Sequence, residues 1–390
     1  MSVEHIGSRC TGCRACLQKC PCRAITFETD AYGFEYPRID QALCTQCGLC
    51  ERVCPSLGQV KGEEVRACGM AYALDPQEKR CGSSGGLFGI LAKSVLSEGG
   101  VVFGAAFDEN LKLKTQKAET EEELRPLYKS KYLLCDTNPA FTEIEKELKG
   151  GRVVLYCSSP CQIAALKLFL GKEYDKLLTV DFVCHGVGSQ TLFDRSIAYT
   201  EEKEKIKIKR VTLRHKMKKG ACSHYYEYDY LKHGKPKKRQ DLYFSFPYYN
   251  AYCKRLACRD SCYDCQYAKK QRMGDITIAD FHTIEKYFPE VDRFAGVSMF
   301  LVNTEKGQKR FDRVKEKLYW KEMDKEILYK SNRFSNAPMA SPHLSAFRHS
   351  VANEHFSKTV KRFLRPSKDL LKIIYYKSPK FLRRIFLKFQ

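Results

Sequence analysis

Cys10-Thr11-Gly12-Cys13-Arg14-Ala15-Cys16-Leu17-Gln18-Lys19-Cys20-Pro21 and Cys44-Thr45-Gln46-Cys47-Gly48-Leu49-Cys50-Glu51-Arg52-Val53-Cys54-Pro55 repeat one spacing, C-x2-C-x2-C-x3-C-P, 34 residues apart. Three cysteines two residues apart can wrap one cube of iron and sulfide, and the fourth leaves that loop for the other cube. This reading gives one [4Fe–4S] cluster to Cys10, Cys13, Cys16 and Cys54, and a second to Cys44, Cys47, Cys50 and Cys20. Gly12 and Gly48 stand where backbone must pass close to sulfide. Residues 24–27 and 36–39 read as short strands between the motifs. Cys22 falls outside the pattern and reads as a non-ligand. Zinc knuckles are the alternative, but zinc needs only four ligands in two pairs, which two four-cysteine runs with trailing prolines fit poorly.

The rest of the composition agrees with a globular redox protein. The chain has 390 residues, 43% of them hydrophobic, which is enough for two or three domains with a sizeable core. There is no charged-then-apolar leader and no apolar run long enough to span a bilayer, so the expected compartment is the cytoplasm. In that setting 20 cysteines point to metal or redox chemistry rather than disulfides. The formal charge is +22. Two clusters at about −2 each leave the chain basic, which suits anionic partners; no nucleic acid is expected.

Beyond a polar stretch at 61–64 the pattern changes. Cys81-Gly82-Ser83-Ser84-Gly85-Gly86 leads into an apolar segment of helical length, 87–96. A Gly/Ser loop opening a helix leaves backbone N–H groups free to cradle phosphate, although a plain helix cap reads the same way. Ser130-Lys131-Tyr132 follows a charged segment. The strand 153–156 runs into Cys157-Ser158-Ser159-Pro160-Cys161-Gln162, and the strand 177–183 into Cys184-His185-Gly186. Cys258, Cys262 and Cys265 give C-x3-C-x2-C, followed by the run Arg272-Met273-Gly274-Asp275 and by Ala279-Asp280-Phe281-His282.

This ordered set, from Cys10 to Gly307, resembles the coenzyme F-420 hydrogenase/dehydrogenase beta-subunit family, in its bacterial branch with a fused N-terminal 2[4Fe–4S] ferredoxin domain. The resemblance implies an FAD-containing iron–sulfur protein that moves electrons between clusters and a two-electron acceptor. In archaeal relatives that acceptor is a deazaflavin; bacterial relatives often accompany polysaccharide biosynthesis. Carried over by position, Ser83, Ser84, Gly85 and Gly86 match the family's Ser-Ser-Gly-Gly loop, and Ser130, Lys131 and Tyr132 its Ser-Lys-Tyr motif. Pro160, Cys161 and Gln162 match the end of its Gly-Thr-Pro-Cys-Gln loop, and Cys184, His185 and Gly186 its Cys-His-Gly. The family's Gly-Thr is Ser158-Ser159 here, and its Gly-Asp-Phe-Trp-Gly is Ala279-Asp280-Phe281-His282-Thr283, so the pocket wall differs. On this basis Ser83, Ser84, Gly85, Gly86, Ser130, Lys131, Tyr132, Pro160 and Gln162 are candidate FAD contacts, and His185 and Lys131 candidate catalytic groups.

Cys258, Cys262 and Cys265 can ligate three irons of a third [4Fe–4S] cluster. Proximity in sequence offers Cys253 as the fourth ligand, motif matching offers Cys161 or Cys184, and Cys157 is a further candidate; Cys161 is taken with the three. Zinc or plain buried thiols are the alternatives. The same spacing marks radical S-adenosylmethionine enzymes, but only 125 residues follow Cys265, fewer than the roughly 200 a barrel needs.

The expected fold class is α+β. A ferredoxin-like domain at 1–62 precedes a mixed α/β flavin-binding body, in two parts at 68–145 and 150–330, and a basic helical tail at 331–390. Expected partners are reduced ferredoxin or a partner redox subunit, and a small-molecule acceptor. A subunit that only feeds electrons to a partner enzyme is the competing reading. In the tail, Ser378-Pro379 opens a helix with Phe381, Leu382, Ile385, Phe386 and Phe389 on one face and Lys380, Arg383, Arg384 and Lys388 mostly opposite. This is the pattern of a helix lying on an anionic membrane surface, here the inner face, and equally of a terminal helix docked on its own core. If it binds membrane, removing residues 366–390 reduces co-sedimentation with anionic vesicles severalfold while leaving neutral vesicles unaffected.

Overall fold

The computed structural model describes residues 3–216, 225–292, 295–332 and 334–365. The tail helix read at 378–389 lies outside the described residues. The strands, in chain order, are β1 (Ile25–Thr29), β2 (Glu35–Ile39), β3 (Ala67–Ala73), β4 (Val101–Phe107), β5 (Leu113–Ala118), β6 (Val154–Ser158), β7 (Leu177–Phe182), β8 (Lys207–His215), β9 (Tyr225–Lys232), β10 (Lys235–Leu242), β11 (Ile276–Asp280), β12 (Ser298–Val302) and β13 (Leu318–Glu322). The fold is α+β. No helix among the described residues is long and apolar enough to cross a membrane.

β1 and β2 pair antiparallel, with Phe27 opposite Pro37, and join the two cysteine runs. Eight strands then make one sheet in the order β13-β3-β12-β11-β7-β6-β4-β5. Its middle, β4, β6, β7 and β11, is parallel; both flanks are antiparallel. The near-continuous apolar runs of β4 and β12 are what burial on both faces demands. The helix Leu87–Leu96 buries Leu87, Ile90, Leu91 and Val95 on one face of this sheet, and Pro160–Leu170 buries Ile163, Leu166 and Phe169 on the other. β3, from the start of the body, inserts between β12 and β13 from its end. Strands from 68–145 and from 150–330 therefore interleave in a single sheet.

A separate antiparallel sheet, β10-β9-β8, packs Tyr226 and Tyr228 into the apolar core and leaves Lys235, Lys237 and Lys238 outside. The helix Phe356–Phe363 buries Val360 there too, and the chain behind it is held by Asn250, whose amide donates to the Leu364 carbonyl at 3.0 Å.

A buried polar network fixes β11 beside β7. Arg272, 2% exposed, places Nη2 3.2 Å from Asp181 Oδ2, and Asp181 is fully buried. Asp275 accepts from the Thr179 amide and hydroxyl, both at 2.7 Å, and Asn303 donates to the Gly274 carbonyl at 2.8 Å. The Arg272–Asp275 run thus sets where the β11 end and its loops lie. Removing one partner of a buried pair leaves an uncompensated charge, worth about 3–5 kcal/mol. Asp181→Ala should therefore lower stability by roughly that amount, read as a fall in the urea midpoint, and Thr179→Val by less.

Candidate functional site

The parallel strands end at one edge, and their loops carry the motifs. β6 ends at Ser158, β7 at Phe182 and β11 at Asp280. Ligands in open α/β sheets bind outside such carboxyl ends.

The ferredoxin domain supplies the first sulfurs. Cys10, Cys13, Cys16 and Cys54 are buried, and Cys54 of the second run sits with three cysteines of the first. Burial pushes the Cys13 thiol up to about 12, with like charge from Cys10 and Cys54 adding to it; Cys16 is raised for the same reasons. The other set opens toward solvent: Cys47 is exposed, and Cys20, Cys44 and Cys50 are half-buried. Cys22 Sγ lies 3.7 Å from Cys20 Sγ. No described cysteine is in a disulfide.

A seam joins this domain to the body. Arg259, wholly buried, donates from Nε to the Cys10 carbonyl at 2.6 Å and from Nη2 to the Glu35 carbonyl at 2.9 Å. The Thr137 hydroxyl donates to the Cys13 carbonyl at 2.6 Å. The Tyr267 hydroxyl donates to the Pro55 carbonyl at 2.8 Å. The Tyr267 phenol is also close enough to Cys161, Cys13 and Cys265 to feel their charges, so it stands between the ferredoxin domain and the body's own thiols.

Five thiols gather in the body. Cys161 is pushed up to about 12 by burial, then by Cys265 and Cys184. Cys184 is pushed to about 12 by burial, with Cys265 and Cys258 adding like charge. Cys262 is raised by burial, then by Cys258, Cys184 and Cys161. Both motif-matched cysteines therefore join Cys258, Cys262 and Cys265. Cys157 instead faces Lys131 and Asp181, and Cys253 is exposed. Gly186 is required here: at φ 101° it passes so near Cys258 that a Cβ would lie 2.6 Å from Sγ. Among the described residues no three His, Cys, Asp or Glu close on a point as a single ion requires. A cube spreads its thiolates around four corners. Thiols this deeply buried ionise only against a positive core, which an iron–sulfide cube supplies.

Beside this group opens a cavity of about 520 Å³, within the usual range for small-molecule sites. Ser83, Ser84 and Gly86 line it, as do Ser130, Lys131, Tyr132, Gln162, Cys184, His185 and Gly186. Gly85 and Pro160 do not. Gly85 is packed against the sheet, its N–H on Ser298 Oγ at 2.9 Å, and Pro160 is buried in the first turn of its helix. The first two motifs touch: Ser83 Oγ accepts from the Ser130 amide at 2.7 Å. The helix Leu87–Leu96 starts at Gly86 with no side-chain cap, and Gly86, Leu87 and Phe88 of its first turn line the cavity. Gln162 donates to the Cys135 carbonyl at 2.7 Å.

Cations crowd the serine loop. Arg214 pairs with Asp280 at 2.7 Å and donates to the Ser83 carbonyl at 3.3 Å. Lys216 donates to the carbonyls of Lys79 and Ser84. Lys129 donates to the Arg80 carbonyl at 2.9 Å. Burial lowers Lys129 to about 8 and Lys216 to about 7. Lys131, also lowered to about 7 by burial, spends its ammonium on the carbonyls of Pro126, Leu127 and Tyr128 at 2.6–3.0 Å. His185 is lowered to about 4, first by burial and then by Arg255, so it is neutral at pH 7. Tyr132 stacks on Tyr252 at 4.5 Å between ring centres, making an aromatic wall.

Sequence reasoning passes over Arg259, Thr137, Tyr267 and Lys216, which belong to no motif. Only the buried neighbourhood reveals them. The Tyr-rich run 248–252 is the one signal in the sequence that marks the aromatic wall.

Residues 151–326 match the family model for the C terminus of the coenzyme F420 hydrogenase/dehydrogenase beta subunit, and residues 9–57 match a 4Fe-4S dicluster domain. A ferredoxin-like protein in the nif region of Rhizobium leguminosarum bv. trifolii is 36% identical over 61 residues, 14% of this chain and 88% of that protein. An uncharacterized ferredoxin-like protein of Haemophilus influenzae is 37% identical over 62 residues, 14% of this chain and 66% of that protein. Among solved structures, the F420-reducing [NiFe] hydrogenase complex from Methanosarcina barkeri aligns with TM-score 0.45 and 15% identity, over 78% of this chain and 94% of that chain.

The interleaved thiols give a direct expectation. Cys54→Ser should remove about four irons per chain and abolish the signal of the buried cluster, although it lies in the second run. Cys22→Ser should keep full iron and sulfide. Anaerobic iron and sulfide assays with electron paramagnetic resonance (EPR) read both.

Proposed function

This chain belongs to the coenzyme F420 hydrogenase/dehydrogenase beta-subunit family, with a 4Fe-4S dicluster domain ahead of the family's body, and from that premise we propose an iron–sulfur flavoprotein oxidoreductase acting on a small two-electron acceptor. The observation that carries this reading is the single cavity that Ser83, Ser130-Lys131-Tyr132, Gln162 and Cys184-His185-Gly186 line together, with five thiols behind it. Cys10, Cys13, Cys16 and Cys54 would hold one cube, and Cys20, Cys44, Cys47 and Cys50 the other. Cys258, Cys262 and Cys265, with Cys161, would hold a third. Iron–sulfur cubes carry single electrons, and FAD, when bound, exchanges one or two.

The chain's own residues have distinct tasks. The half-open set around Cys47 faces solvent, where a redox partner such as reduced ferredoxin can approach. Arg259, Thr137 and Tyr267 keep the buried set close to the body's thiols, since short separations favour transfer. At the cavity, the uncapped helix start, Lys129 and Arg214 suit the diphosphate of FAD. Tyr132 and Tyr252 suit a flat ring. Neutral His185 can orient an acceptor or take a proton from it, but it does not bring one at pH 7. The acceptor is a deazaflavin-like compound or a substrate of a polysaccharide pathway.

Anaerobic protein should contain about eight irons for two cubes, about twelve for three, and one FAD after reconstitution. With dithionite it should turn over a small acceptor. A pure electron-transfer subunit would hold the same cofactors but stay inert until its partner enzyme is added. Protein with no flavin absorption after reconstitution would overturn the reading. Proton uptake gives a finer check. A diphosphate placed beside Lys129, lowered to about 8, raises it toward its usual value. FAD binding at pH 8 should therefore take protons from the buffer, and the uptake should vanish below pH 6, where this lysine is already charged. Calorimetry in buffers of different ionisation enthalpy measures it.

A further inference from the structure

Among the described residues, Arg259 and Arg272 are the most deeply buried arginines, and their partners differ. Arg272 meets the carboxylate of Asp181. Arg259 meets no carboxylate among the described residues. Its Nε and Nη2 are spent on the carbonyls of Cys10 and Glu35, and its plane lies over the rings of Tyr36 at 4.1 Å and Phe34 at 5.5 Å. Nη1 is buried and has no hydrogen-bond partner. A buried charge without a counter-charge is costly, and folds seldom tolerate one.

The position of Nη1 names the missing anion. A Cβ built on Gly12 would lie 3.5 Å from it. Gly12 is in the loop from Cys10 to Cys13, and its N–H donates to Cys10 Sγ at 3.4 Å. The hydroxyl of Thr11, in the same loop, faces the Cys13 thiol. One orphaned donor, Arg259 Nη1, thus lies beside the loop that would wrap the cofactor.

We propose that Arg259 is the buried counter-charge of the cube held by Cys10, Cys13, Cys16 and Cys54, donating to it from Nη1 and raising its reduction potential. The proposal rests on the assignment of those four thiols to one cube. Reduction adds one electron and no proton, so the cube's charge goes from about −2 to about −3. A fixed cation alongside favours the reduced form. Arg259 also sits between Cys258 and Cys262, so the same side chain ties the potential of this cube to its docking on the body.

The test is a redox titration of the full anaerobic chain followed by EPR. Arg259→Met should lower the potential of one cube by about 59 mV or more, a tenfold shift in its one-electron equilibrium, and leave the other unmoved. Arg259→Lys should recover part of the shift. A full-iron Arg259→Met protein with both potentials unchanged overturns the proposal. Wild-type chain carrying 15N only in the arginine guanidinium nitrogens, which spares the backbone amides of Arg14 and Arg52 in the cysteine runs, decides the matter if the variants do not fold. Electron spin echo on the reduced protein should show 15N coupling to one cube, and its absence, as when a water fills the gap, overturns the proposal. Coupling that survives in Cys54→Ser but is lost in Cys47→Ser would mean that the thiol assignment, and the proposal with it, is wrong.

Discussion

Sulfur packed into a protein interior resists ionisation, and neighbouring sulfurs make it worse. Burial holds Cys13, Cys161 and Cys184 near 12, and each also carries like charge from other cysteines. Such groups are poor free nucleophiles and have no reason to converge by themselves. A cationic iron–sulfide core reverses the balance, because a coordinated thiolate meets positive charge instead of apolar wall. The loops at both ends of the seam are arranged to bring sulfurs together in spite of that cost. Loading a cluster at such thiols would therefore be coupled to folding.

The body meets that demand with the ends of parallel strands. β6 and β7 carry Cys161 and Cys184 just past their last residues, and the buried Arg272–Asp181–Thr179–Asp275 network locks β11 in line. The segment that carries Cys258, Cys262 and Cys265 runs directly into this network. A slip of β11 would move the approach to all three. The polar network inside the sheet thus protects the geometry of a site some distance from it.

Local features were readable in the chain; distant ones were not. The twofold C-x2-C-x2-C-x3-C-P spacing puts three ligands of each site within one short run and repeats the run for the fourth, so it shows in the sequence. The helix at 87–96 and the strands at 154–158 and 177–182 were also legible, because each is a continuous apolar run with a small-residue boundary. The insertion of β3 between β12 and β13 was not, since pairing Ala71 with Trp320 joins residues far apart with no common pattern. Arg259 and Tyr267 were hidden for the same reason: a charged or phenolic side chain reads as surface until its burial is known. Gly85 shows the reverse. It belongs to a loop matched by motif, yet its own freedom serves packing against Ala71 and Ser298 rather than the cavity.

The charge around the serine loop completes the argument. Arg214, Lys129 and Lys216 are held within a few residues' reach of Ser83 and Ser84, and burial already weakens the protonation of two of them. A fold that gained nothing from these lysines would be more stable with them at the surface, where they keep full charge and rotamer freedom. Their hydrogen bonds go largely to backbone carbonyls, which orient an ammonium without neutralising it. What restores their charge is an anion in the cavity. The five thiols behind the cavity favour cations, and the lysine rim favours anions. The site therefore has two faces of opposite preference, and under the proposed function an anionic ring system between the thiol group and the basic side would meet both.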